Sequence, residues 1–416
     1  MAKTAEERYG EREQRVLDAI ALGKPDRVPI LPLVGFFPER YAGMTIQDTL
    51  YHPDKLWEAC WKFLIDFEPD MDRNPFAMRF LGPILETLDY KQLLWAGHGL
   101  SADVTYQFVE GEYMTAAEYD NFLLDPTDFM LRIYWPRVFG ALRGLAKLPP
   151  LRDIINYSMG VPFSFVPFQT SEVMEAFETL RKAGERAVEI ASYAARYAVK
   201  SKEAGFPNMF GGLTHAPFDA LGDYFRGTKG LMLDMYRRPD KVTAACEKLL
   251  PVMAEIALHA SMTSGNPRIF IPLHKGLDGF MSVEQFKRFY WPTLRELLLA
   301  LIKAGLTPCP FWEGDCTSRL ELIADIPVGK AVYAFESTNI FTAKEILGDR
   351  VCLRGNVPVS ILATGTPEDV KAYCKKLIDV VGKDGGYIMD SSANFEDARV
   401  ENVRAMFEFT KEYGIY

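Results

Sequence analysis

The sequence predicts an α/β protein, a (β/α)8 barrel with helical additions at its N-terminus. Two observations carry that expectation. From residue 172 to residue 412, apolar stretches of strand length alternate with amphipathic stretches of helix length. Such alternation builds a parallel sheet covered by helices, and over this length a closed barrel fits best. The second observation is the placement of polar residues. Six successive strands run out into ionisable side chains, at the end where barrels of this class keep their chemistry. A doubly wound sheet is the alternative, but no Gly-x-Gly-x-x-Gly turn and no phosphate-binding loop follows any strand.

Residues 4–22 read as a surface helix, with Thr4 as cap and Val16, Leu17, Ile20 and Leu22 as the apolar stripe. Lys24-Pro25-Asp26-Arg27 breaks it, so 1–25 is an N-terminal helix extension. Residues 28–37 form a buried strand that runs into a loop. The stretch 50–170 keeps no steady period: short helices near 53–66 and 127–145 mix with a strand-like run at 104–109. It is assigned to insertions and lid-like elements within one barrel domain spanning 1–416. From 172 the rhythm clears. Helix 172–204 leads to strand 208–213, then helices 229–236 and 239–263 lead to strand 268–273. Helix 282–304 stops at Gly305, a good helix terminator, before strand 307–312 and helix 317–325. Strand 331–335, helix 342–347, strand 351–354, helix 367–382, strand 387–390 and helix 396–412 complete the chain.

Composition narrows the class. The 416 residues carry 47 Lys and Arg against 56 Asp and Glu, a net charge of −9. At 48% apolar the chain can fill a core, which excludes a solvated coil. No window of about 18 residues is apolar without charge, so no membrane span is expected. The charged opening MAKTAEERYGEREQ lacks the apolar region of a signal peptide, and a cytoplasmic location is expected. A pI of about 5.3 and the lack of a basic run argue against nucleic acid. Cys60, Cys246, Cys309, Cys316, Cys352 and Cys374 include no Cys-x-x-Cys pair and read as reduced thiols.

The strand ends supply the candidate site. His215 follows 208–213 and either faces a pocket or caps the next turn. His274, beside Lys275 and Asp278, follows 268–273; imidazole suits both proton transfer and metal ligation. Glu313 follows Phe311 and Trp312, and a carboxylate set between aromatics and Gly is expected to be desolvated with a raised pKa. Asp315 is the better helix cap. Glu336, the pair Arg354 and Asn356, and Asp390 end the last three strands, each readable as a turn former or a ligand group. Phe311, with Tyr106, Tyr113, Phe163, Phe165 and Phe168, reads either as core or as the wall of an aromatic pocket. The expected catalytic groups are His274, Glu313 and Asp390. His215, Phe311, Glu336, Arg354 and Asn356 are expected against the substrate, and no metal-ligand set is spelled out by spacing.

Several segments resemble the uroporphyrinogen decarboxylase superfamily. They are Gly23-Lys24-Pro25-Asp26-Arg27-Val28-Pro29-Ile30, Ala216-Pro217-Phe218 with Arg226-Gly227, and Gly276-Leu277-Asp278-Gly279-Phe280-Met281-Ser282 with Phe286, Phe289 and Pro292. The tail adds Gly355-Asn356-Val357-Pro358, Gly365-Thr366-Pro367-Glu368-Asp369-Val370, Gly385-Gly386-Tyr387-Ile388 and Glu401-Asn402-Val403. The resemblance implies a distorted TIM barrel of the uroporphyrinogen decarboxylase type. It also offers two chemistries. The decarboxylases carry an Arg-rich stretch where this chain reads Phe36-Phe37-Pro38-Glu39-Arg40-Tyr41, so decarboxylation is the lesser reading. The other branch is the corrinoid-dependent methyltransferases. Its zinc-thiolate members use His-x-Cys and a late Cys; the matching positions here are Phe311-Trp312-Glu313 and Asp390-Ser391-Ser392, so the thiol-activating zinc ligands are absent. The expectation is methyl transfer from a methoxylated aromatic substrate to the cob(I)alamin of a partner corrinoid protein. Glu313, His274 or Asp390 would assist the leaving oxygen as an acid, or His with carboxylates would hold zinc. A homodimer is the assembly such barrels bring. A docking scaffold without enzymatic activity is the third reading.

Overall fold

The computed structural model describes residues 3–77, 79–155 and 161–416. Six strands form one parallel sheet in chain order: Gly212–Leu213, Arg268–Leu273, Thr307–Trp312, Val332–Phe335, Cys352–Arg354 and Tyr387–Ile388. Two more staves close it into a barrel through single bridges. Ile30 pairs in parallel with Met389, and Met389 N–H donates to the Pro29 carbonyl at 2.8 Å. Asp70 N–H donates to the Ile30 carbonyl at 3.0 Å, and Asp72 pairs in parallel with Asn208. Among the described residues the ring therefore has eight staves, the second at 69–73. That stave lies inside the stretch expected to hold only insertions. Pro69-Asp70-Met71-Asp72 is too short and too polar to read as a strand. Its carboxylate is accounted for: Asp70 is fully buried and held by Arg15 at 2.6 Å and Arg27 at 2.7 Å.

The fifth stave carries Pro308 and Pro310, which lack the N–H a central strand normally donates. Alternation resolves this. Thr307 N–H donates back to the fourth stave, so Pro308 and Pro310 face the sixth, and pairing there starts only at Phe311 with Ala334. The same period of two sorts the core. Leu33, Phe270, Phe311 and Ala334 fill the lumen, while Ile269, Ile271 and Trp312 pack outward under the helices.

The N-terminal extension is helix Ala5–Ile20, opened by a capping box of Thr4 and Glu7. Its buried Val16, Ala19 and Ile20 pack on Leu31, Met71, Met209, Cys309, Val332 and Ile388, at the start of the staves. The helix thus plugs the bottom of the barrel and leaves the top open for chemistry. Helix Ser171–Glu203 has 33 residues and is about 50 Å long. It outreaches the staves, and the insertion between stave two and this helix packs on the overhang through Leu142, Leu145, Val173 and Ala176. That insertion carries a three-stranded sheet, with Leu93–Ala96 between Gly99–Leu100 and Tyr106–Phe108. Only part of the strand-like run 104–109 is paired, and the expected helix 127–145 is broken into Pro126–Phe129, a wide turn, Trp135–Val138 and the tight helix Gly140–Lys147. Among the described residues, no helix is long and apolar enough to cross a membrane.

Candidate active site

Alternation along the staves also aims the candidate residues. In stave four, Phe270, Pro272 and His274 share one parity; in stave five, Cys309, Phe311 and Glu313 do. Phe270 and Phe311 face the lumen, so His274 and Glu313 follow at its mouth. There they form the floor of a cavity of about 480 Å3 together with Asp223 and Lys275. The insertion supplies most of the roof: Tyr90, Gln92, Tyr106 and Phe108, with Tyr224 from the barrel side. The roof is pinned by Gln92 donating to the Tyr224 carbonyl at 3.1 Å and by Met114 N–H donating to the Phe225 carbonyl at 2.8 Å.

His274 is the centre of this floor. Its Nδ1 lies 2.6 Å from Asp223 Oδ2, and its Nε2 lies 3.5 Å from Glu313 Oε1. Burial by itself would lower the imidazole pKa. The Asp223 hydrogen bond and then Glu313 outweigh it, and the pKa is pushed up to about 11. His274 is therefore an imidazolium at neutral pH. Asp223 is tied a second time by Lys275 Nζ at 2.6 Å from its other oxygen. Burial would raise the Asp223 pKa, but His274 and Lys275 hold it below the ordinary carboxylate value. One turn earlier, fully buried Asp219 accepts the backbone N–H groups of His274 at 3.1 Å and Lys275 at 2.9 Å, and the Tyr290 hydroxyl at 2.6 Å. Asp219 fixes the loop and Asp223 fixes the ring. Burial and the neighbouring Asp223 charge push the Asp219 pKa up.

The other expected residues are sorted by depth. His215 is half-buried, with Nε2 3.1 Å from the Tyr224 hydroxyl. Burial, then the His274 charge, pushes its pKa down to about 4, so it stays neutral beside the Tyr224 hydroxyl. Glu336 accepts Gly314 N–H at 2.6 Å and holds the turn that carries Glu313. Glu313 is not the desolvated acid expected between aromatics: Trp312 points away into the helix layer, and the Glu313 side chain keeps 37% of its exposure. Phe311 lies below the floor in the lumen layer and does not line the cavity. Of the aromatic set only Tyr106 lines it; Phe163 and Phe165 stand on the outer surface.

The expectations for Arg354, Asn356 and Asp390 are corrected. Arg354 and Asp390 are 2% and 1% exposed and form an ion pair at 2.9 Å, off the hydrogen-bond direction. Arg354 also donates to the Leu31 carbonyl, and Asp390 accepts Leu33 and Ser391 N–H, so the pair bolts stave seven and stave eight to stave one. Asn356 donates to the Thr338 carbonyl at 3.2 Å. None of the three lines the cavity: their parity is that of the mouth, but their neighbours cover them. Asp219, Asp223 and Tyr90 escaped the sequence reading. The first two stand four residues apart just after Pro217, on one face of a helical turn, and that spacing was the available signal.

Zinc does not fit this site. Both His274 nitrogens face carboxylates, the six cysteines are buried, and among the described residues no three His, Cys, Asp or Glu side chains are grouped to hold a metal ion.

The chain was compared with known proteins. It is 30% identical over 184 residues to a uroporphyrinogen decarboxylase of Chlorobium luteolum, covering 43% of this chain and 51% of that one. Enzymes of the same name from Chlorobium phaeovibrioides and Methylococcus capsulatus match at 32% over 183 residues and 28% over 196, covering 43% and 46% of this chain and 51% and 53% of theirs. The chain spans about half the length of these relatives. A solved structure described as a methyltransferase from Methanosarcina mazei superposes with a TM-score of 0.63 at 15% identity over 99% of both chains, which shows a shared fold. The sequence model of uroporphyrinogen decarboxylase (URO-D) matches residues 154–413, which include the overhanging helix and the last one. On that match the chain belongs to the uroporphyrinogen decarboxylase family.

Proposed function

We propose that this protein is a methyltransferase that takes a methyl group from a methoxylated aromatic substrate and passes it to the cob(I)alamin of a partner corrinoid protein. The observation that carries the reading is His274, held as an imidazolium on the floor of an aromatic-walled cavity. Breaking an aryl methyl ether by attack on its methyl carbon leaves a phenolate. A phenol has a pKa of about 10, as tyrosine does, and a donor near that value is matched to protonate the leaving oxygen in the transition state. Asp223 holds the ring and keeps the proton on it. The longer Glu313 contact is the one a substrate ether oxygen would replace, which puts Nε2–H on that oxygen. Tyr90, Tyr106, Phe108 and Tyr224 offer flat apolar walls for the ring. The reduced corrinoid supplies the nucleophile; it arrives on its own protein, so no cavity of this chain has to enclose it. Such chemistry belongs in the cytoplasm.

The shared fold of the Methanosarcina methyltransferase supports this reading. Tyr90, Tyr106 and Phe108, which line the cavity, precede the family match at residue 154. The names of the sequence relatives favour decarboxylation instead. The cavity argues against a poly-carboxylate substrate, since Glu110, Asp223 and Glu313 outnumber His274 and Lys275 in its lining. The test mixes the protein with a reduced corrinoid protein and a panel of methoxyarenes. Loss of the cob(I)alamin absorption with growth of the methylcobalamin band supports methyl transfer. No spectral change, with carbon dioxide released from a carboxylated substrate, would replace it with the lyase reading.

A further inference from the structure

Tyr224 and His215 form a second polar pair at the His274 cavity. Tyr224 lines the cavity, and its hydroxyl lies 3.1 Å from His215 Nε2, with the two rings edge to face at 72°. Both residues are fixed from behind. Thr214, just before His215, donates its N–H to the Phe270 carbonyl at 3.1 Å and its hydroxyl to the Met253 carbonyl at 2.7 Å. The Tyr224 carbonyl accepts Gln92 from the roof. Among the described residues His215 is the one hydrogen-bond partner of the Tyr224 hydroxyl, and the other ring nitrogen of His215, Nδ1, is buried with no partner. A neutral imidazole carries one proton, so the pair can share hydrogens in two ways. If Nε2 is bare, Tyr224 donates to it and Nδ1–H is left buried without an acceptor. If Nε2 carries the proton, it donates to the Tyr224 oxygen, Nδ1 is a bare nitrogen, and the Tyr224 hydrogen is free for a ligand in the cavity. An orphaned buried N–H is the rarer fault, and neutral histidine by itself favours the proton on Nε2. The second arrangement is therefore the stable one.

We propose that the Tyr224 hydroxyl, set by His215, is a hydrogen-bond donor to the ligand of this cavity, and that it selects an arene bearing an acceptor oxygen besides the ether that His274 protonates. A donor left without an acceptor costs free energy, so a ring with a methyl or ethyl group in place of that second oxygen is disfavoured. Both residues keep the uncharged form that the pair needs. Burial, then the His274 charge, holds the His215 pKa down to about 4. Burial, then the Asp223 charge, holds the Tyr224 pKa above the usual phenol value, so its hydrogen stays in place at neutral pH. Tyr224 thus offers its ring as an apolar wall and its hydroxyl as a polar handle. His215 is a positioning residue that acts through Tyr224. The choice of an ether as the other group rests on the methyl-transfer reading; the donor itself does not.

Two measurements on the full chain test this, and neither needs a corrinoid or turnover. Heteronuclear NMR of the imidazole nitrogens reads the tautomer, with His215→Gln identifying the resonances. Protonated Nε2 and bare Nδ1 are expected; bare Nε2 with protonated Nδ1 would overturn the proposal. Titration calorimetry reads the donor, using the ortho, meta and para isomers of dimethoxybenzene and of ethylanisole, in which a methylene group replaces one oxygen. In Tyr224→Phe the affinity ratio of dimethoxybenzene to ethylanisole should fall by about 3–10-fold for the best-placed isomer, the scale of one neutral hydrogen bond, while ethylanisole binds as in wild type. A ratio unchanged for every isomer, or no binding of any isomer to wild type, would sink the idea. Should Tyr224→Phe fail to fold, the tautomer still decides. An oxygen preference that depends on Tyr224 in a protein that fails the methyl-transfer assay would strike the reaction and leave the donor standing.

Discussion

Asp223→Asn is the most direct probe of the site. The substitution keeps the size of the side chain and removes the charge 2.6 Å from His274 Nδ1. An opposite charge at that range shifts a titrating group by about 1–3 pH units, so the His274 pKa should fall by that much from about 11. At about 1.4 kcal/mol per unit this is about 1–4 kcal/mol of preference for the imidazolium. His274 keeps 33% of its side-chain exposure, which places the effect in the lower half of that range. The sign follows from the raised pKa. The imidazolium's contribution to stability is full below about pH 6.5, the ordinary histidine value, and is lost as pH rises through about 11. Asp223→Asn should therefore cost stability in full at about pH 6.5 and below, down to where Asp223 itself takes a proton, and cost progressively less as pH rises toward about 11. Heteronuclear NMR titration reads the pKa directly, and His274→Gln identifies the resonance among the five histidines. A His274 pKa that is the same in Asp223→Asn and wild type would refute the electrostatic account of the site.

Three further outcomes are expected. Glu313→Gln should lower the His274 pKa less than Asp223→Asn does, because the contact is 3.5 Å and the carboxylate is part exposed; the same titration checks it. Asp390→Asn leaves the Arg354 guanidinium buried without its counter-charge and should cost about 3–5 kcal/mol in urea unfolding, with the His274 pKa unmoved. Tyr290→Phe removes a 2.6 Å hydrogen bond from buried Asp219 and should cost about 1–3 kcal/mol, read as a lower midpoint in thermal unfolding.

Much of this site was legible because strands have a period of two. Strand length and alternation give 268–273 and 307–312 directly, and parity then aims His274 and Glu313 into the mouth. Parity cannot give depth. Arg354 and Asp390 share the aim of Glu313, yet they lie under the first stave, whose closing bridge at Ile30 and Met389 is a single pair. No local pattern in 351–354 or 387–390 announces that cover. Stave two was invisible for a different reason: four residues with two aspartates make no hydrophobic pattern, and what stabilises Asp70 there is Arg15 and Arg27, distant in sequence. Asp223 sits on a helical turn after stave three, so a search confined to strand ends passes over it.

The long insertion after stave two links the unreadable part of the chain to the chemistry. An imidazolium at an open barrel mouth would exchange its proton with water and gain little from one carboxylate, because exposed charges interact weakly. Covering the mouth changes the second term. The roof strand Tyr106–Phe108 and Gln92 line the cavity above Asp223 and His274, whose side chains keep 20% and 33% of their exposure, so their attraction is stronger than that of a fully solvated pair. The 33-residue helix is what makes such a roof affordable in stability, since its overhang gives Leu142, Leu145 and Leu148 an apolar face to bury against. Residues 75–155 are aperiodic because they answer to that helix on one side and a cavity on the other, so no single period can run through them. The reactivity assigned to His274 thus depends on a segment whose sequence shows none of the barrel's rhythm.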